Sequence, residues 1–186
     1  MSNRRIKGLD FNGTFAPVAK FTTIRCILAM TAANGWELHQ MDFKSAFLNS
    51  DLDEEVYMEQ PEGYVDLTYP DKVCRLLQAL YGLEQAPKMW YAKIDAFPKS
   101  KGFDNIDPDV FLYLQMDDGE IVIVLVNVEY LLLVGSSVAA IDKIKRALGK
   151  RFEMKNLDEA KVTLGPEISR DKTLGTLKPS QGKYVA

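Results

Sequence analysis

The chain is poor in cysteine, histidine and long apolar runs, and each shortage rules something out. Two cysteines, Cys26 and Cys74, stand far apart with no ligand spacing. A disulfide framework is excluded, and two buried, reduced thiols of an intracellular protein are expected. One histidine, His39, is too few for a His/Cys zinc site. The longest apolar run, residues 121–126, suits a strand and falls far short of a membrane span. The opening MSNRRIKGLD lacks the apolar core of a signal peptide, so cytosol or nucleus is the expected compartment, with no membrane partner. A basic excess is missing too. The net charge is −3, which argues against tight nucleic-acid binding by bulk charge.

What is present fits one ordinary globular domain over 1–186. The chain is 47% hydrophobic and 26% charged. A chain of this size hides roughly 70% of its unfolded surface. The spacing of Ile24, Ile27, Leu28 and Thr31 predicts a helix over 23–34, with Thr22 or Thr23 as cap and Gly35 closing it. Residues 36–43 alternate and read as a strand ending near Asp42, with a second helix from Lys44. Short strands are expected over 54–60 and 73–77, separated by a Pro-Glu-Gly turn. Pro87 opens a helix whose stripe is Trp90, Tyr91, Ile94 and Phe97, and Pro98 should end it early. Met-Asp-Asp-Gly between 110–115 and 120–128 is a strong hairpin signal, and a second hairpin turns at 127–130. Ser136 or Ser137 caps a further helix with Ile141, Ile144 and Leu148 inside. Two strands, 161–169 and 176–179, complete an α+β layout of a mainly antiparallel sheet with helices on one face.

Three stretches carry more than a fold. They are TFAPVAKFTTIR…ANGWELHQMDFKSAFLNSDLDEEVYMEQPEGY, then VCRLLQALYGLEQAPKMWYAKID, then RFEMKNLDEAKVTLGPEISRDKTLGTLKPSQGKYV. In order and spacing they resemble the reverse transcriptase domain of copia-type retrotransposon Pol polyproteins. The likeness runs from Lys7 to Val185. It implies a right-hand polymerase fold, of which this chain would hold the palm and part of the fingers. It also implies RNA-directed DNA synthesis on an RNA or DNA primer–template from deoxynucleoside triphosphates, with two Mg2+ ions. The remainder of the polyprotein would be a partner. An upstream basic strand is represented only by Arg4, Arg5 and Lys7, and a thumb and a ribonuclease H domain are expected after Val185.

Such polymerisation is an in-line displacement at two divalent ions about 4 Å apart. Magnesium wants hard oxygen ligands. The resemblance makes Asp42 in MDFKSAF a ligand of both ions, although the residue alone reads equally well as the cap of a following helix. Phe47 would pack under the sugar and leave no room for a 2′ hydroxyl; otherwise it is a core phenylalanine. Gly82, Gln85 and Lys88 fall in the loop that supports the nucleotide, which could also be an ordinary turn before a helix. Here the likeness is imperfect, because the family usually has a lysine at Glu84 and an arginine at Lys88.

The largest departure lies in the second hairpin. The family has an aromatic-Val-Asp-Asp tetrad inside an apolar frame. The frame stands, IVIVLV before and LLLVG after, but the tetrad reads Asn127, Val128, Glu129, Tyr130. Without the resemblance this is a plain buried hairpin. Glu129 can still bind a metal, but its extra methylene moves the oxygens by roughly 1 Å, and such sites tolerate about 0.5 Å. Tyr130 is a neutral phenol near pH 7. Pro166, inside an expected strand, would remove a ladder donor. The expected function is therefore a reverse transcriptase domain with metal-dependent transfer lost or impaired. A working polymerase relying on Asp42 and Glu129, and a non-catalytic nucleic-acid-binding or scaffold module, are the alternatives.

Overall fold

Two near-continuous apolar runs, EIVIVLVN and YLLLVG, can only be strands buried on both faces, and they form the middle of the sheet. The structure, a computed structural model, describes residues 19–107, 111–163 and 166–180. Arg4, Arg5, Lys7, Val110, Leu164, Gly165 and Val185, used in the sequence reading, lie outside them. The elements run α1 (Phe21–Asn34), β1 (Glu37–Phe43), a 3₁₀ turn (Ala46–Asn49), β2 (Tyr57–Glu59), β3 (Val73–Arg75), α2 (Ala86–Ser100), β4 (Asp104–Asp107), β5 (Leu112–Asp117), β6 (Glu120–Asn127), β7 (Tyr130–Gly135), α3 (Val138–Arg151), β8 (Met154–Glu159), β9 (Glu167–Asp171) and β10 (Thr176–Ser180). They divide into two compact units, one over 45–94 and the other over 19–44 together with the residues from 95 onward.

The larger unit is built on a six-stranded sheet in the order β4-β5-β6-β7-β1-β8. Every neighbouring pair is antiparallel. Leu38, Ile123, Leu125, Leu132 and Val134 point to one face and form a core with Ile24, Ile27 and Leu28 of α1. Ile168 of β9 and Leu177 of β10 pack on the same core. Side chains alternate along a strand, so His39, Leu131 and Leu133 point the other way, where Ile141, Ile144 and Leu148 of α3 are buried. Lys145 of α3 reaches His39 there, Nζ to Nδ1 at 2.6 Å. The sheet is therefore covered on both faces by helices, not on one. Thr31, the polar member of the α1 stripe, is buried because its Oγ1 donates to the Ile27 carbonyl at 2.7 Å.

Local chemistry explains the ends. Gly35 closes α1 at φ 66°, and the Trp36 N–H donates to the Thr31 carbonyl, while Lys20 and not a threonine stands at the N-cap. Asp118 and Gly119 take φ 47° and 79°, the two positive values of a type I′ hairpin. Ser137 caps α3, its hydroxyl accepting from Ala140 N–H at 3.1 Å.

Five further expectations need correction. No α-helix starts at Lys44. Ser45 sits at φ 51°, a left-handed kink through which a right-handed helix cannot run, and only the 3₁₀ turn follows. Pro98 does not end α2 early, because it lies in the last turn, where one lost N–H leaves few bonds unmade. Residues 161–169 are not one strand. Thr163 N–H donates to the Pro166 carbonyl in a turn, and β9 begins after Pro166, so that proline interrupts no described ladder. The thiols are free but not buried, since Cys26 is exposed and Cys74 half-buried. Two strands, β4 (DNID) and β8 (MKNLDE), were not expected. They are the sheet's two edges, where polar residues guard against further pairing.

The smaller unit holds the 3₁₀ turn, the β2–β3 ribbon and the first turns of α2. Tyr57 pairs with Arg75, Met58 with Cys74 and Glu59 with Val73. Among the described residues no helix is long and apolar enough to cross a membrane.

Two measurements test this packing. A Cβ on Gly135 would stand 2.7 Å from Cγ1 of Ile141. Gly135→Ala should therefore lower stability by about 1–3 kcal/mol, seen as an earlier urea midpoint. His39 is held below the usual histidine range, by burial first and by the Lys145 charge second, against the pull of Glu37, Asp142 and Asp158. A histidine whose folded pKa is depressed binds its proton more readily when unfolded. Its contribution is thus whole above pH of about 6.5 and fades as pH falls below it. His39→Gln should flatten the loss of urea midpoint between neutral and mildly acid buffer, and an unchanged slope would contradict this.

Candidate active site

Asp42 is placed by β1, and its partner is set by the ladder. Gln40 pairs with Leu132, Met41 with Leu131 and Asp42 with Tyr130. The Phe43 N–H donates to the Glu129 carbonyl at 2.6 Å. That bond makes Asp42–Tyr130 a pair without hydrogen bonds between its own two residues, the closer of the two antiparallel pair types. The Cβ atoms of such a pair lie roughly 4.5–5.5 Å apart. Asp42 and Tyr130 thus stand opposite each other on the same face of the sheet.

Glu129 occupies the turn between β6 and β7. Asn127 pairs with Tyr130, leaving Val128 and Glu129 as the two turn residues. Val128 takes φ 43°, a position that a β-branched residue reaches only under strain of roughly 1–3 kcal/mol. Glu129 is exposed, whereas Asp42 and Tyr130 are half-buried. Asn127 is buried, and its Oδ1 has no hydrogen-bond partner among the described residues.

Asp42, Glu129 and Tyr130 are therefore brought together at the ends of two adjacent central strands. The donors there are two carboxylates and a phenol. Among the described residues no group of three or more His, Cys, Asp or Glu side chains gathers as metal ligands. Two Mg2+ ions sharing one site need several hard anionic oxygens, and the carboxylates placed here are those of Asp42 and Glu129.

The remaining expected site residues all belong to the smaller unit. Phe47 is buried in the 3₁₀ turn, and its ring meets Tyr81 at 4.5 Å between centroids. Gly82 takes φ 96°, a conformation that costs glycine little and other residues more. Gln85 is buried just before α2 and donates from Nε2 to Oε1 of Glu54 at 2.7 Å. Lys88 and Glu84 are exposed. Sequence reading missed the part played by Tyr81 and Glu54. Each acts across more than thirty residues of chain, and no local spacing announces such contacts.

Comparison with known proteins fits this arrangement. The family described as reverse transcriptase (RNA-dependent DNA polymerase) matches residues 2–186. The retrovirus-related Pol polyprotein from transposon TNT 1-94 of Nicotiana tabacum is 43% identical over 180 residues, covering 96% of this chain and 14% of that polyprotein. The retrovirus-related Pol polyprotein from transposon RE2 of Arabidopsis thaliana is 39% identical over 163 residues, 88% of this chain and 11% of the relative. The putative transposon Ty5-1 protein of Saccharomyces cerevisiae is 34% identical over 146 residues, 78% of this chain and 47% of its own. The chain thus spans about a seventh or less of the two plant polyproteins. No solved structure matches. This chain belongs to the reverse transcriptase (RNA-dependent DNA polymerase) family, as a domain of the copia-type retrotransposon Pol kind.

Proposed function

We propose that the chain is the palm and part of the fingers of a reverse transcriptase whose metal-dependent nucleotidyl transfer is lost or severely weakened. The antiparallel sheet is the palm, and residues 45–94 are the fingers portion. Asp42 and Glu129 are the metal-facing carboxylates, and Tyr130 stands in place of a third. Phe47 guards the sugar, while Gly82, Gln85 and Lys88 face the nucleotide. The natural partners are an RNA or DNA primer–template, deoxynucleoside triphosphates and the rest of a Pol polyprotein, in the cytosol or nucleus.

The observation that carries the reading is the pairing of Asp42 with Tyr130. A neutral phenol beside Asp42 removes one negative charge and fills space where an ion would sit. Glu129, one methylene longer than aspartate, sets its oxygens roughly 1 Å off, beyond the about 0.5 Å that such sites tolerate. The strained Val128 supports descent from a working turn, since strain of this kind gathers at functional sites. Asp42 keeps its own role of presenting a carboxylate at the strand end, with Glu129 as its one carboxylate companion. Glu84 adds repulsion, because a carboxylate in a loop that faces phosphates opposes their charge.

The test joins this chain to the thumb segment of a relative and measures primer extension with magnesium. The chain as it stands should extend at least roughly a thousandfold more slowly than its Glu129→Asp, Tyr130→Asp counterpart, the effect of three steps of about 1.36 kcal/mol in the barrier. Equal extension by the two would overturn the proposal.

A further inference from the structure

The smaller unit turns an apolar loop outward. Residues 61–73, most of the link from β2 to β3 and the first residue of β3, are exposed without a break. Within them Tyr64 is 84% and Leu67 93% exposed, and Val65, Tyr69 and Val73 also lie open. Single exposed apolar residues are normal, but four in one short loop, with Val73 next to it at the start of β3, mark an interaction surface.

The loop is also fixed, and not by burial. The side chain of Gln60 holds it from within. Its Nε2 donates to the carbonyls of Tyr69, Pro70 and Lys72 at 3.0, 3.3 and 3.0 Å. Its Oε1 accepts from the Asp66 N–H at 2.7 Å. The Asp66 carboxylate accepts from the Thr68 N–H at 2.8 Å, and the Lys72 ammonium sits 3.4 Å from the Tyr69 ring centroid. A loop shaped before binding loses less conformational freedom when a partner covers it.

Charge selects the partner. Residues 45–94 contain nine carboxylates and four cations. All nine carboxylates are exposed, and Glu59, Glu62, Asp66 and Asp71 border or belong to the loop. Such a surface repels nucleic-acid phosphates, and it repels a second copy of itself. It attracts lysine and arginine.

We propose that the loop closed by Gln60 is a docking surface for a protein segment that carries lysines or arginines around an apolar stripe, with Tyr64 and Leu67 as its anchors. This surface is separate from nucleotidyl transfer and does not depend on it.

The experiment uses the whole 186-residue chain and a labelled helical peptide with leucines on one face and lysines on the other, followed by fluorescence anisotropy. A peptide with every leucine replaced by serine controls for charge alone. The leucine peptide should bind at least about tenfold tighter than the serine peptide, a difference of about 1.4 kcal/mol. Tyr64→Ser with Leu67→Ser should erase that advantage. Both side chains are so exposed that circular dichroism and the urea midpoint should not move. Gln60→Ala should weaken binding too, although its side chain lies within the loop and not at its face. Equal affinity of the double variant and the unaltered chain overturns the proposal. So does equal binding of the two peptides. Self-association that Leu67→Ser reverses, seen by sedimentation, assigns the loop to a dimer instead. Primer–template binding lost in the double variant assigns it to nucleic acid, and either result also overturns the proposal.

Discussion

The antiparallel ladder of β6, β7 and β1 fixes everything else in the larger unit. Its strands β6 and β7 are apolar on both faces, so α1 can cover one side and α3 the other. A slip of one residue between β1 and β7 would turn Leu38 and Met41 to the wrong faces and bury Gln40 instead. That penalty locks the register, and the register in turn decides which side chain stands beside Asp42. The strand ends inherit their geometry from the core beneath them.

The two units differ in electrostatic character. Between residues 45 and 94 the carboxylates outnumber the cations by nine to four, whereas the chain as a whole is only at −3. A unit that must follow phosphates is better served by the reverse balance. We propose that the tetrad at 127–130 and the carboxylate at Glu84 weaken nucleotidyl transfer, and that the acidic apolar loop beyond Gln60 serves a protein partner. They are chemically independent, since one concerns metal ligands, one a nucleotide loop and one a protein surface.

Much of the fold was legible because the signals were local. Gly35, the Asp118–Gly119 turn and the Ser137 cap each act within a few residues, and the stripe Ile24, Ile27, Leu28, Thr31 follows helical spacing. What was missed depends on distance along the chain. Strands β4 and β8 have polar sequences and form only because the sheet offers them an edge. Pro98 looked like a breaker because its position in the last turn of α2 is not written in its neighbours. The site was half legible. The frame around residues 127–130 located Glu129 and Tyr130 next to Asp42, a juxtaposition that the ladder then supplied. The contacts of Phe47 with Tyr81 and of Gln85 with Glu54 could not be read, because nothing near either pair in sequence foretells them.

We propose that a phenol opposite Asp42 leaves too little anionic oxygen to hold the catalytic ions. The most direct measurement is a titration with Mn2+ by calorimetry, which needs no substrate and no thumb. It compares the unaltered chain with the Glu129→Asp, Tyr130→Asp chain, using Asp42→Asn in each background to locate the binding. The restored chain should take up Mn2+ at least about tenfold more tightly, a gain of about 1.4 kcal/mol, and Asp42→Asn should abolish that gain. An unaltered chain that binds Mn2+ through Asp42 as tightly as the restored one would contradict the account.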